Sequence, residues 1–204
     1  MKDFISIGGQ KVELTEEKRK EVLELLGIQI QQKQLSEYKP GEIVKIGAFE
    51  MVVLEQSEGQ TSLILKDIYG EDTEFGENNN YDGSYVDVRC QEFGKELEEL
   101  VGAENMIPHE VDLIAIDGLK SYGTVTRRVA SITAETYRKF VDILDAVNPR
   151  KWWWLATPWS TPRHENDSWT LCVAPSGRIY DGDCCIDYGV RPFCILKSNI
   201  FVSG

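Results

Sequence analysis

The stretch YDGDCCIDYGVRPF, residues 180–193, decides how the chain is read. Its first nine positions hold three aspartates, two adjacent cysteines and two tyrosines, and then Gly189-Val190-Arg191-Pro192 leads into an apolar run. Asp181 and Asp183 begin like a calcium loop. Position six would be Ile186 where the turn needs glycine, and position twelve Pro192 where the ion needs glutamate, so that reading fails. Zinc wants paired Cys or His from two places, whereas Cys184 and Cys185 are adjacent and the chain has only His109 and His164. A thiol-exchange pair is C-x-x-C at a helix start, and neighbouring Asp183 and Asp187 set up the opposite field. The segment therefore reads as a surface made for binding, and no metal or cofactor is expected.

Immediately upstream, Trp152, Trp153 and Trp154 stand in succession in KWWWLATP. A strand alternates its side chains, so these rings must enter two different layers and anchor the C-terminal fold. SWTLCVAPSGRI and GVRPFCILK read as further strands joined by long polar loops, with Trp154 and Phe193 as anchors beneath them. Trp159 and Trp169 fall in or beside those loops. In the other loop, His164, Asn166, Asp167, Ser168, Trp169 and Thr170 offer contacts of the same kind. With Glu165 they supply oxygens for a weak surface calcium ion at most.

Before residue 151 the pattern changes. EIVKIG, FEMVVLEQ and TSLILKDI form a meander. Ser84 starts a helix whose Val86, Cys90, Phe93, Leu97 and Leu100 recur at helical spacing, and Cys90 is read as inert packing. HEVDLIAID reads as a strand. SITAETYRKFVDILDA reads as one helix with Tyr137, Phe140, Val141 and Leu144 on its apolar side. The opening FISIGGQKVEL reads as a hairpin around Gly8-Gly9, and LTEEKRKEVLELLG as a helix over 15–26 capped by Thr15 and ended by Gly27. IQIQQKQLSEYKPG, ending in Pro-Gly, reads as a linker. The expected layout is α+β: a small hairpin-and-helix unit over residues 1–38 and a main domain over 39–204.

With 204 residues and a net charge of −12, the chain can bury a sizeable core but lacks the basic face that a phosphate backbone requires. No apolar run is long enough for a membrane helix and the first residues lack an apolar signal core, so a cytoplasmic protein, or one assembled there into a particle, is expected. Five cysteines without a framework spacing suit a reducing compartment. No G-x-S-x-G, H-E-x-x-H or glycine-rich phosphate loop is present, so an enzyme is not expected.

WWWLATP, W-x-x-x-V-x-P-x-G and YGVRPFCIL together resemble an uncharacterised domain family of gut bacteria and their phages, whose C-terminal signature runs WWLRSP…V…G…GVRPA. SITAETYRKF is similar to that family's L-T-x-E-x-Y segment, and FGENNNYDGSYVDVRC to its N-x-Y-x-x-S helix start, so the likeness spans residues 41–197. Ala156-Thr157 replace the family's Arg-Ser, and no role for that arginine carries over. The strand order is also similar to C-type-lectin-like domains of the formylglycine-generating-enzyme type. That resemblance implies a C-type-lectin-like main domain in which Gly189, Val190 and Arg191 form the closing strand, with Arg191 sheltered in polar contacts.

Proteins of this sort are the variable products of diversity-generating retroelements, which recopy template adenines and bind ligands without catalysis. Residues 180–188 are all within reach of an asparagine AAY codon whose adenines change, and Lys, Glu, Gln, Met and Trp are absent there. The expected contact residues are His164, Asn166, Asp167, Ser168, Trp169, Thr170, Tyr180, Asp181, Asp183, Cys184, Cys185, Asp187 and Tyr188. Trp152, Trp153, Trp154, Gly189 and Arg191 are expected to be structural. The expected partner is a protein or cell-surface ligand, not nucleic acid or a membrane interior; the 15–26 helix is expected to pack on the main domain, with pairing to a second copy in a homo-oligomer as the alternative. The rival readings are an assembly module of a virion or envelope, and a formylglycine-generating-type enzyme using Cys184 or Cys185.

Overall fold

A computed structural model of the chain describes residues 32–203 together with two N-terminal strands, β1 (Phe4–Ile7) and β2 (Gln10–Glu13). These two pair antiparallel, Phe4 opposite Glu13 and Ile7 opposite Gln10, as the hairpin reading expects. The helix expected over 15–26 lies outside the described residues. The segment read as a linker differs in part: β3 (Gln32–Gln34) is a strand that pairs with the C-terminal strand of the chain. The turn after it buries Leu35 completely, which ties residues 32–38 to the main core.

β4 (Ile43–Ile46), β5 (Phe49–Ser57) and β6 (Gln60–Leu65) form the expected meander. Met51, Val52, Val53 and Leu54 are apolar in succession, so β5 requires cover on both faces, and all four are buried. One face receives α1 (Tyr85–Val101), which lays Val86, Cys90, Phe93 and Leu97 over Met51, Val53, Leu63 and Leu65. Ser84 caps this helix by accepting the Asp87 N–H at 3.1 Å, and Gly102 at φ +82° ends it. Leu100, expected in the buried stripe, is instead 49% exposed. It sits in the last turn against Gly47 of the β4–β5 connection, where cover runs out.

β7 (Met106–Ile107), β8 (His109–Asp112), β9 (Thr124–Arg127) and β10 (Val129–Ala130) follow, with β8 and β9 paired as a hairpin. The single helix expected next is two, α2 (Ala134–Lys139) and α3 (Val141–Ala146). The backbone leaves helical geometry at Phe140, with φ −114° and ψ 21°. This break rotates the apolar side: Tyr137 and Leu144 are buried as expected, but Val141 is 42% exposed.

β11 (Trp153–Pro158), β12 (Trp169–Val173) and β13 (Ile179–Asp183) form a separate three-stranded antiparallel sheet. β14 (Phe193–Lys197) then returns to the main sheet between β10 and β6, with Phe193 opposite Ile64, and β15 (Phe201–Ser203) closes the chain between β4 and β3. The result is an α+β fold whose large sheet has α1 on one face. The other face carries α2, α3 and the inner rows of the small sheet, with Tyr137, Leu144, Trp153, Leu155, Leu171 and Val173 packed over Val52, Leu54 and Ile64.

Candidate recognition surface

The small sheet sends neighbouring side chains into two cores because its strands have a period of two. Trp153 packs with Leu171 and Val173 on one side, while Trp154 packs with Cys172 and Cys184 on the other. Both indoles are buried, and Trp154 donates its Nε1–H to the Thr73 carbonyl at 2.9 Å. Trp152, at the strand's start, is only half-buried. Its ring lies 5.2 Å from Tyr188, nearly parallel at 15°, and 5.5 Å from Tyr180, edge-on.

The register of β12 with β13 sets what faces outward. Trp169 lies opposite Asp183, Leu171 opposite Asp181 and Cys172 opposite Tyr180. Trp169, Asp181 and Asp183 therefore share the face of the buried Leu171 and extend it toward solvent, while Tyr180 and Gly182 lie on the other face. A side chain at Gly182 would place its Cβ 2.9 Å from the Trp154 ring and 3.0 Å from Tyr188. Only glycine lets the strand pass so close.

The loop between β11 and β12 is pinned from a distance by Asn79, which is fully buried. Its amide nitrogen donates to the carbonyls of Trp169 (2.7 Å) and Ser160 (3.1 Å), its backbone N–H donates to Asp167 O, and its Oδ1 accepts the Tyr122 hydroxyl at 2.6 Å. Ser160 donates to Asp117 Oδ2 at 2.7 Å, and His164 Nδ1 lies 3.1 Å from the same oxygen. The Ser160 hydroxyl, assisted by the Leu119 N–H and His164, holds the Asp117 carboxyl below its ordinary pKa. This loop is thus built from below. Sequence reasoning missed Asn79 as an anchor, although it is the first residue of the N-x-Y-x-x-S segment; Tyr81 accepts the Ser131 N–H and Ser84 is the helix cap.

After β13 the chain runs along the β11 edge of the small sheet, with Gly189 bridged parallel to Trp153, on its way to β14. Tyr188 and Thr73 exchange backbone hydrogen bonds, and the Gly189 N–H and carbonyl bond to Trp152 O and the Trp154 N–H. A Cβ at Gly189 would meet Ile68 at 2.7 Å. Arg191 is fully buried and, among the described residues, has no carboxylate partner; it donates to the carbonyls of Leu65 (2.8 Å), Lys66 (3.2 Å) and Val147 (3.1 Å). Its guanidinium carbon stands 5.2 Å from the Trp153 ring centre, and among the described residues Nη1 has no partner. Burial lowers its pKa to about 10. Those same carbonyl-bearing residues line a hollow of about 790 Å³ between β6 and the end of α3, apart from the two loops.

Two of the expected contact residues turn inward. Thr170 is buried on the even-numbered side of β12 and donates to the Thr157 carbonyl, and Cys184 is buried beside Trp154. Tyr188 is half-buried in the indole cluster, and Asn166 is half-covered. His164, Asp167, Ser168, Trp169, Tyr180, Asp181, Cys185 and Asp187 are exposed, and Asp183 is partly so. The surface gains two residues absent from the expected set, Trp159 at 41% exposure and Ile186 at 41%. Trp159 donates its N–H to the Trp169 carbonyl at 3.0 Å, which sets these indole-bearing residues side by side.

Burial pushes the Cys172 and Cys184 thiols up to about 12, and the hydrogen bond to Asp183 raises that of Cys185. Such thiols are poor nucleophiles. Ser160 and His164 both address the Asp117 carboxylate rather than each other, so the three do not form a hydroxyl–imidazole–carboxylate relay. Among the described residues no three His, Cys, Asp or Glu side chains gather as metal ligands, and no helix is long and apolar enough to cross a membrane. In comparisons with known proteins, no family model matches the chain, and neither a curated protein nor a solved structure matches it significantly.

Proposed function

We propose that this chain is a non-catalytic ligand-binding protein on a C-type-lectin-like scaffold, and a variable protein of a diversity-generating retroelement in a gut bacterium or its phage. The observation that carries the binding reading is the contrast within the small sheet. Trp159, Trp169, Tyr180 and Ile186 are each about two-fifths exposed, while the frame behind them is fully packed. Large rings held out on a rigid support give contact area at low entropic cost, and the flanking Asp and Ser side chains supply adaptable hydrogen bonds.

The lectin-like assignment is supported by chain order: an early strand, helices, a three-stranded sheet, then a closing strand returning beside the early one. The sheltered Arg191 ahead of that last strand agrees with it. In a phage setting the ligand would be a host-surface molecule, by analogy alone.

The test is selection of ligands from a random peptide library displayed on phage, followed by Trp169→Ala and Tyr180→Ala. Either change should weaken the selected ligands by about tenfold or more with little loss of melting temperature. Ligands indifferent to both changes would remove the surface from consideration and leave the assembly-module reading.

A further inference from the structure

The ladder between β12 and β13 has a second edge. Cys184 donates its N–H to Ser168 O at one end, and Ala174 donates to Arg178 O at the other. Antiparallel alternation then turns the backbone groups of Tyr180 and Gly182 toward β12, and those of Ile179, Asp181 and Asp183 away from it. β13 pairs with no other strand, and among the described residues nothing bonds the outward N–H or carbonyl of Asp181. Asp181 is exposed, as an open edge requires.

We propose that this edge takes up an extended peptide of a partner as a fourth strand, one that alternates basic and apolar residues. The inference rests on the ligand-binding reading and deepens it. An added strand continues the period of two, so every second side chain would stand on the face of Asp181 and Asp183. Lysine or arginine there meets the carboxylates of Asp181 and Asp183. The intervening side chains would lie on the face of Tyr180, beside the half-buried Trp152 ring, where apolar groups are favoured. Arg178 is exposed at the start of the strand but lies in the turn, outside the row of aspartates. A second copy of β13 is excluded as occupant because it would set aspartates against aspartates. The same charges that discourage indiscriminate edge pairing therefore select a basic strand.

The test uses the full chain with the acetylated, amidated peptide Lys-Val-Lys-Val-Lys-Val-Lys at about 0.15 M salt. Binding should be accompanied by slowed hydrogen exchange at the Asp181 amide. A block isomer, with lysines and valines segregated, and a version N-methylated at alternate residues should each bind about tenfold more weakly or worse. Asp181→Lys should weaken the lysine peptide and admit its glutamate counterpart. Equal binding of the control peptides, or an unprotected Asp181 amide, would overturn strand addition. So would failure of the alternating peptide to bind. In each case library-selected ligands that still depend on Trp169 and Tyr180 would leave the recognition surface standing without the added strand.

Discussion

The side-chain amide of Asn79 donates to the carbonyl of Trp169 at 2.7 Å, across 90 residues of chain. It fixes the base of the exposed loop from the segment that precedes the first helix of the main domain. Asn79→Ala would strip the Tyr122 hydroxyl of its acceptor and the Ser160 carbonyl of its side-chain donor, and would leave the Trp169 carbonyl with the Trp159 N–H alone. The expected loss is about 3 kcal/mol, read by urea denaturation. Asn79→Asp should not restore it, because a carboxylate cannot donate.

The two tyrosines of the 180–188 stretch should behave differently. Tyr180 is 43% exposed, so Tyr180→Ala should change stability by less than about 1 kcal/mol. Tyr188 stacks on Trp152 and tilts against Trp154 at 4.6 Å, so Tyr188→Ala should cost about 2–3 kcal/mol. Thermal denaturation of the pair checks the split.

Arg191→Ala removes the donor to three backbone carbonyls and opens a cavity beside Trp153. A loss of about 4 kcal/mol is expected, enough to abolish cooperative melting in a marginally stable domain. Arg191→Lys should recover only part, since one ammonium cannot span the positions reached by the fork of Nε and Nη2.

His109 gives the fold a pH dependence of known sign. Its ring stands edge-on to Phe193 at 5.1 Å and its Nδ1 has no partner among the described residues. Burial lowers its pKa, opposed in part by a hydrogen bond with the Ile107 backbone. The unfolded ring therefore takes up a proton first as the pH falls below about 6.5, and stability declines there. His109→Gln should flatten the stability profile between about pH 7 and about pH 5.5, relative to the parent chain.

Four of the five cysteines are buried and only Cys185 is exposed. A maleimide should label one thiol in the native protein and all five after unfolding. The native reaction should be slow at neutral pH, because Asp183 holds the Cys185 thiol protonated. Cys185→Ser should abolish it.

Much of this architecture is legible in the sequence because period and chemistry agree. The runs EIVKIG, FEMVVLEQ and TSLILKDI predict the meander, and the successive indoles of Trp153 and Trp154 predict two layers. The break at Phe140 is not legible, since neither glycine nor proline marks it. Thr170 and Cys184 are buried although both are expected at the surface: Cys184 because residues 180–188 read as a loop, Thr170 because the strand reading alone does not say which face of β12 is covered. Reading Tyr180-Asp-Gly-Asp-Cys as a strand would have put Gly182 and Cys184 on one face, opposite the aspartates. Asn79 sits among three consecutive asparagines, and composition alone does not say which amide is swallowed.

The close passage of Gly182 beneath Trp154 restricts any mutational repertoire built on this chain. A library that randomised the whole stretch would spend most members on clones broken at the glycine or at the sulfur two residues later. Sparing those sites and Tyr188 confines sampling to a discontinuous mosaic of outward positions. Its members would keep one melting curve while changing their specificity.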